Sequence, residues 1–305
     1  MELRHLRYFV AIAEEGSFTR AAGRLGMQQP PLSQQLRALE SELGVSLFRR
    51  HPRGVELTAP GDAFLADARA LLAAADAASL RASRVAAGRA GSLTIGLATS
   101  AASHRLAPDA IREFHRRYPE VALTFIDGNA ASLTEAVQEK RVQVALVRAP
   151  VANPPGLRHE TLLREPLLAA IARSHPLVKR GGKSVALREL RDDAFILVRR
   201  PGQPGMYGDL VAACREAGFE PRIAAEVGNM LVNTMLVAAG VGVSVVPASM
   251  AQSHARQVAY IPIRGASKLE APLTLLSRED EANPAARHFL SLAREVARAA
   301  QRRRG

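Results

Sequence analysis

Apolar residues in the first sixty positions recur at helical spacing, not strand spacing. Leu3, Leu6, Phe9, Val10 and Ala13 share one face and predict an amphipathic helix over 3–15. Gly16 and Ser17 stop it, and Ser17 suits the N-cap of a second helix from Phe18 to Leu25, which Gly26 ends. A third helix opens at Pro30 and Pro31, where a missing N–H costs nothing. Leu32, Leu36, Leu39 and Leu43 then form a single stripe, Ser33, Gln34 and Arg37 point elsewhere, and Gly44 closes the helix. Next come Leu47-Phe48-Arg49-Arg50, a turn at His51 to Gly54, and Val55-Glu56-Leu57-Thr58, which read as a two-stranded wing.

The pattern changes twice more. Residues 60–87 are rich in Ala and Leu, with Phe64, Ala68, Leu71, Ala75 and Ala78 at a 3–4 spacing. A helix of that span extends roughly 40 Å. Its stripe packs either within its own chain or against the same helix of a second subunit; the second reading is favoured, because a dimer presents two reading heads to a two-fold target. Gly88-Arg89-Ala90-Gly91 then reads as a hinge. From residue 92 strands alternate with helices. Strands are expected at 93–98, 121–126, 142–147, 167–172, 194–198, 223–227, 242–246, 258–262 and 272–277. Helices are expected near 104–117, 131–140, 206–217, 230–239, 248–254 and 285–299. Alternation of this kind predicts parallel strands with helices on both faces, and its length predicts two similar lobes.

Composition narrows the field. The 305 residues suffice for two or three cores, and 48% are hydrophobic, so the chain is globular. The formal net charge of +12 fits a polyanionic partner, although an Arg-rich proteome also makes basic surfaces. The excess is not at the N-terminus: residues 1–58 hold eight Arg against six Glu. Charge therefore does not locate a DNA site, and the motif must. The single cysteine, Cys214, cannot form an internal disulfide and lies in an apolar run that points to buried packing. No long apolar span or signal-peptide core is present, so a cytoplasmic protein with no membrane partner is expected.

Two short helices, a turn and a longer helix with a polar face make a helix-turn-helix, whose last helix enters the major groove by its N-terminal residues. Gln can bond adenine, Arg guanine, and Ser a base or phosphate. Arg49, Arg50 and Arg53 near the wing tip suit phosphate or minor-groove contact, where one alone would be read as a solvated charge.

The run Ala21-Ala22, Leu25, Gln29-Pro30-Pro31-Leu32-Ser33, Leu36, Leu39-Glu40, Leu43-Gly44, Leu47-Phe48, Arg50, Thr58 and Gly61 resembles the signature of LysR-type transcription regulators, as does the opening Met1 to Phe9. The resemblance implies DNA contacts from Gln29, Pro30, Ser33, Gln34 and Arg37 on the recognition helix and from Arg50 and Arg53 on the wing. Gln28 departs from the family's usual small residue and can still donate to a phosphate. The remaining chain is similar to the family's periplasmic-binding-protein-like effector domain, most specifically at Leu93 to Gly96 and at Val237 to Val243 followed by Val246-Pro247. The implied architecture is an α-helical winged helix-turn-helix over 1–58, a linker or dimerisation helix and hinge over 59–91, and an α/β two-lobed effector domain over 92–305. Lobe 1 would hold about 92–163 and 268–305, and lobe 2 about 164–267. The family implies homodimers that often pair into homotetramers. Its expected mechanism is operator binding altered by an effector that closes the lobes, changing DNA bending and contact with RNA polymerase. The opening residues and the Pro30-Pro31 pair look most like the branch that controls aromatic-compound catabolism, with small organic acids as effectors.

Ligand contacts are expected beyond the carboxyl ends of strands. Thr99, Ser100 and Ser103 follow the first strand of this domain; they serve either as helix caps or as carboxylate donors, and the resemblance favours the second. Asn129 follows the next strand, with Asp127 and Gly128 before it. Arg148 follows the third, as an anion ligand or a surface ion pair. Gly202 and Gln203, after Pro201, and Asn229 and Met230 are expected from lobe 2. Ala130 stands where many relatives responsive to aromatic acids carry a hydroxyl residue.

Two other readings compete. An enzyme lacks support: there is no GxGxxG after a strand, no P-loop, no nucleophile elbow and no His/Cys metal spacing, and His104 and His115 are explained by capping or a solvated face. No cofactor or metal is expected. A solute-binding protein, or a small-molecule-binding protein whose basic charge gives only non-specific DNA binding, is the alternative.

Overall fold

The computed structural model describes residues 1–52, 54–148, 154–198, 205–265 and 269–302, with backbone only at 205–207. The chain divides into two compact units, Met1–Arg84 and Val85–Gly305.

The first unit holds α1 (Leu3–Glu15), α2 (Phe18–Arg24), α3 (Gln29–Leu43), β1 (Phe48–His51), β2 (Gly54–Leu57) and nearly all of α4 (Ala59–Ala86). Its core gathers Leu6, Phe9 and Ile12 with Phe18, Leu32, Leu36, Leu39 and Leu47; of the face expected for α1, Leu3 is exposed and Val10 and Ala13 are half-buried, while Ile12, outside that expected face, is fully buried. Phe9 lies between Phe48 and Phe64, with ring centroids 5.3 and 5.2 Å away. Ser17 caps α2 by accepting from the Arg20 N–H. The strands pair antiparallel, Phe48 with Leu57 and Arg50 with Val55. Thr58 ties the wing to the long helix. Its N–H donates to the Leu47 carbonyl, and its hydroxyl donates to Ser46 O and accepts from Gly61 N at 3.0 Å. A Cβ at Gly61 would stand 2.0 Å from the Leu47 carbonyl oxygen, so only glycine lets this helix start so close to the wing.

The long helix has 28 residues, as its pattern predicts, but the stripe is not uniformly buried. Ala68 is buried, and Phe64, Leu65 and Leu72 pack against the core of this unit, while Leu71, Leu80 and Val85 are exposed. A stripe read from spacing alone cannot tell a half that meets its own chain from a half that meets solvent.

The second unit contains β3 (Ala90–Ala98), α5 (Thr99–Ala102), α6 (Leu106–Arg117), β4 (Glu120–Gly128), α7 (Ala130–Gln138), β5 (Val144–Val147) and β6 (Leu157–Ala172). There follow α8 (Pro176–Lys179), β7 (Val185–Ala186), β8 (Ala194–Val198), α9 (Gly205–Glu216), β9 (Arg222–Val227), α10 (Met230–Ala238), β10 (Ser244–Pro247), β11 (Val258–Arg264), β12 (Glu270–Arg278) and α11 (Pro284–Arg302). Short 3-10 turns occupy Leu187–Leu190 and Ala248–Met250, so the helix expected at 248–254 is only one turn.

Two separate cores mark two lobes. One gathers Leu93, Ile95, Phe114, Leu133, Val144, Leu146, Leu275 and Phe289. The other gathers Leu167, Ile171, Phe195, Cys214 and Val243, with Ile196, Met230, Val237 and Val258 in a neighbouring cluster. Burial pushes the Cys214 thiol up to about 12, as its apolar setting requires.

The expectation of parallel strands is half corrected. β3 runs parallel to β4 and β5, and β8 parallel to β9. However, β12 is antiparallel to β5 and β6, and β10 and β11 are antiparallel to β6. The 16-residue β6 runs through both lobes, where the pattern predicts only its last six residues, 167–172. It pairs with β12 along residues 157–166 and with β10 and β11 along 167–172, with a register shift between Leu273 and Thr274. Two long antiparallel strands, not a loop, therefore connect the lobes.

Candidate functional site

The polar face of α3 is built on its buried one. Leu32, Leu36 and Leu39 are at most 3% exposed, which turns Gln29, Pro30, Gln34 and Arg37 outward and leaves Ser33 half-buried. Gln28 is the N-cap residue, with extended backbone (φ −81°, ψ 154°) and no capping bond from its side chain. Gln29 Oε1 accepts from the Thr19 hydroxyl at 3.1 Å, which holds its amide at the start of the helix. Gln34 and Arg37 make no ion pair or side-chain hydrogen bond among the described residues, so both are free to bond elsewhere.

On the wing, strand alternation separates the two arginines. Arg49 lies across from Glu56 and donates to it through Nε and Nη2 at 3.1 and 2.8 Å, which holds the Glu56 carboxyl below its ordinary range. Arg50 falls on the other face and makes no ion pair among the described residues. Arg53 lies outside the described residues.

In the second unit three of the predicted contacts lie at one edge of the sheet. β3, β4 and β5 are in parallel register, with Ala98 beside Gly128 and Leu97 beside Leu146. Thr99, Asn129 and Arg148 each follow that edge, at the carboxyl ends of parallel strands. Across from it, α5, which carries Thr99 and Ser100, packs against α10, the helix that Asn229 caps and Met230 begins.

Many of these groups already serve the fold. Asn129 Oδ1 accepts from the N–H groups of Ala131 and Ser132, both at 3.1 Å, and Asn229 Oδ1 accepts from those of Leu231 and Val232, both at 3.0 Å. Both asparagines are N-caps. The Ser103 hydroxyl donates to the Thr99 carbonyl at 3.2 Å. Met230 is 7% exposed and lines a cavity with Leu167, Leu210 and Ser244. The hydroxyls of Thr99 and Ser100, both half-buried, make no hydrogen bond among the described residues. Gly202 and Gln203 lie outside the described residues, as does Pro201.

Arg148 is buried, and its partner is one that sequence reasoning missed. It pairs with Glu165 at 2.5 Å, with side-chain exposures of 5% and 2%. Its Nε and Nη2 donate to the Ser100 carbonyl at 3.1 and 2.8 Å, and Nη2 also donates to Ser249 Oγ at 2.8 Å. Ser249 donates to Glu165 through its N–H and its hydroxyl, at 2.7 and 2.9 Å. Burial lowers the Arg148 pKa and the adjacent Glu165 charge opposes that shift; the guanidinium stays protonated because its ordinary pKa is so high. The ion-pair reading of Arg148 is thus the observed one, but in the interior and not at the surface. A charged residue inside an apolar strand was the available signal: Glu165 stands in Leu162-Leu163-Arg164-Glu165-Pro166-Leu167.

A second depression of about 180 Å³ lies between His104, Arg105, Leu163, Arg164 and Gln301. No residue singled out as an effector contact lines it. Among the described residues there is no group of three or more His, Cys, Asp or Glu that could hold a metal, and no helix long and apolar enough to cross a membrane.

Residues 3–62 match the family model of the bacterial regulatory helix-turn-helix protein, lysR family, and residues 86–298 match the LysR substrate binding domain. The chain is 38% identical over 292 residues to the HTH-type transcriptional regulator BudR of Raoultella terrigena, covering 96% of this chain and all of that one. It is 34% identical over 270 residues to BenM of Acinetobacter baylyi, 86% of each chain. Among solved structures, full-length CbnR complexed with its target DNA superposes with a TM-score of 0.82 at 32% identity, covering 97% of this chain and all of that one. Full-length BenM gives 0.60 at 31% identity, covering all of this chain and 98% of that one. With a helix-turn-helix whose polar face is built on a packed stripe, a two-lobed substrate-binding domain, and relatives of nearly full length that are HTH-type transcriptional regulators, this chain belongs to the LysR family of regulators.

Proposed function

We propose that the protein is a cytoplasmic regulator that reads a two-fold operator through Gln28, Gln29, Pro30, Ser33, Gln34 and Arg37, with Arg50 and Arg53 on the phosphate backbone, and that a small organic or aromatic acid controls it. The observation that carries this reading is the α3 surface: Gln34 and Arg37 are exposed and uncommitted, above a stripe that is almost completely buried. Side chains so placed can form bidentate base contacts without giving up a bond in the protein. The solved complex of CbnR with its target DNA supports the same use of the same fold. Arg49, tied to Glu56, contributes less because a phosphate must compete with that carboxylate.

Self-association supplies the second reading head. Leu71, Ala78 and Val85 recur every seven residues on α4, with Leu71 and Val85 exposed in the single chain. A heptad seam of this kind is covered by the same helix of another copy. We assign a homodimer to this seam and a homotetramer to further pairing.

The effector enters between the strand edge that leads to Thr99, Ser100, Asn129 and Arg148 and the helix that Asn229 and Met230 begin. An acid is favoured because the Thr99 and Ser100 hydroxyls are free to donate, and because Arg148 keeps one buried donor, Nη1, without a partner among the described residues. Binding that distinguishes two lobe arrangements shifts operator affinity by its differential affinity for them, and contact with RNA polymerase follows from the same shift.

The test is binding of the purified protein to its own upstream DNA at two salt concentrations, against unrelated competitor. Competitor-resistant binding at the higher salt is expected. Equal loss to every competitor as salt rises would leave only the attraction of a +12 chain for a polyanion, and would favour the small-molecule-binding alternative.

A further inference from the structure

We infer that Phe18 is a positioning residue for DNA binding: its ring holds the Arg50 guanidinium at the mouth of the cleft between recognition helix and wing. The inference rests on the proposed contact of Arg50 with the phosphate backbone and goes beyond it, since Phe18 itself does not touch DNA.

The geometry begins with strand alternation. β1 puts Phe48 and Arg50 on one face, across from Leu57 and Val55, and Arg49 on the opposite face with Glu56. The inner face is the core face: Val55 is buried, and Phe48 packs against the core. An arginine at position 50 must therefore run along apolar surface before its charge reaches water. It ends over an aromatic ring, with the guanidinium carbon 5.2 Å from the Phe18 centroid. Phe18 is itself fixed. It is the first residue of α2, directly after the Ser17 cap, 8% exposed, with its ring edge-on to Phe48 at 6.3 Å.

The place matters as much as the contact. Phe18, Ser33, Arg37 and Arg50 line one depression of about 140 Å³ between α3 and β1. The wing arginine is thereby held beside two residues of the recognition helix. Glu40 also lines this cleft, but its Oε1 accepts from the N–H groups of Leu47 and Phe48 at 2.7 and 3.3 Å and forms no ion pair with Arg50. Arg50 is thus oriented without being neutralised, whereas Arg49 is oriented by an acid that neutralises it. A cation held by a ring keeps its full charge for a phosphate and loses less side-chain freedom on binding.

The experiment is a double-mutant cycle read by operator affinity across a salt series. Arg50→Gln is expected to reduce affinity about ten-fold and to lower the salt slope by about one, the contribution of one phosphate contact. Phe18→Leu keeps an apolar side chain and is expected to cost about two- to five-fold with part of the same slope, while Phe18→Tyr restores binding. Phe18→Leu added to Arg50→Gln should cost nothing further. Because a core substitution can also loosen the fold, Phe18 is also replaced by its difluoro and trifluoro analogues, which keep the ring's shape and weaken its negative face. A graded fall in affinity with fluorination is expected, at unchanged melting temperature. Additive losses in the cycle, or affinity independent of fluorination, would overturn the positioning role and leave the Arg50 contact standing. No effect of Arg50→Gln on affinity or slope would instead remove that contact, and the inference with it.

Discussion

The recognition helix and the effector edge use polar residues in opposite ways. On α3 the stripe Leu32, Leu36 and Leu39 carries the packing and Glu40 braces the wing, which leaves the outward Gln34 and Arg37 with no side-chain bond among the described residues. At the effector edge the polar side chains largely serve the fold. Asn129 and Asn229 cap helices, Ser103 bonds back to Thr99, and Arg148 is locked with Glu165 and Ser249. One surface has side chains free to bond as folded. The other, in the proposed effector reading, offers a ligand few free donors, so affinity there would depend on which existing bonds the ligand can replace.

The largest effect expected from this contrast is at Glu165. Glu165→Leu strands the buried Arg148 charge and should lower the stability of the second unit by about 3–5 kcal/mol, where the paired substitution Arg148→Met with Glu165→Leu recovers much of the loss. Denaturant unfolding of the three variants measures this, and a single substitution that leaves the midpoint in place would break the contrast. Next comes Arg37→Ala, expected to weaken operator binding by about 1–3 kcal/mol and relax preference at one base pair, with no change in melting temperature. Operator titration beside a thermal melt sharpens the claim that Arg37 is free of structural duty; a lowered melting temperature would contradict it. Asn229→Ala should cost about 1 kcal/mol through loss of the N-cap, whatever it does to effector response. A stability unchanged by that substitution would make Asn229 more like the residues of α3 than like its own crevice.

The smallest effect is a titration. Arg116 and Arg117 donate to Glu113 and hold its carboxyl at about 2, well below the ordinary carboxylate range. Its ionised form is favoured by folding, so its contribution is complete above the unfolded value and is lost as pH falls toward about 2. The carboxyl is solvent-exposed, so the stability change should be minor. A carboxyl-carbon NMR titration would show the depressed midpoint, and Arg117→Ala should raise it. An ordinary midpoint in the unsubstituted protein would mean that solvent screens these pairs.

Legibility in the sequence follows the same divide. The recognition helix was readable because its two faces differ by residue type and its period is local. The Ser17 cap and the length of α4 are local too. The tie between Arg49 and Glu56 was not read from the wing, although the two lie only seven residues apart; it appears once the register places them across from each other. Phe18 looks like an ordinary core residue until Arg50 is seen above it. In the effector domain the lobes were legible from element count. The long β6 was not, because Arg164-Glu165-Pro166 interrupts its apolar alternation where it passes from one lobe to the other.

What the sequence determined by itself is what short-range periodicity and capping chemistry encode: the helix-turn-helix, the wing, the long helix, the alternating elements beyond, and the family signature that runs through them. Tertiary structure alone decided strand direction, the half of α4 left uncovered, and the partners of Arg50 and Arg148. Each of those depends on a contact between distant positions. Alternation marks which face of a strand is buried, but it carries no information on which strand lies beside it or which charge comes to rest against its own.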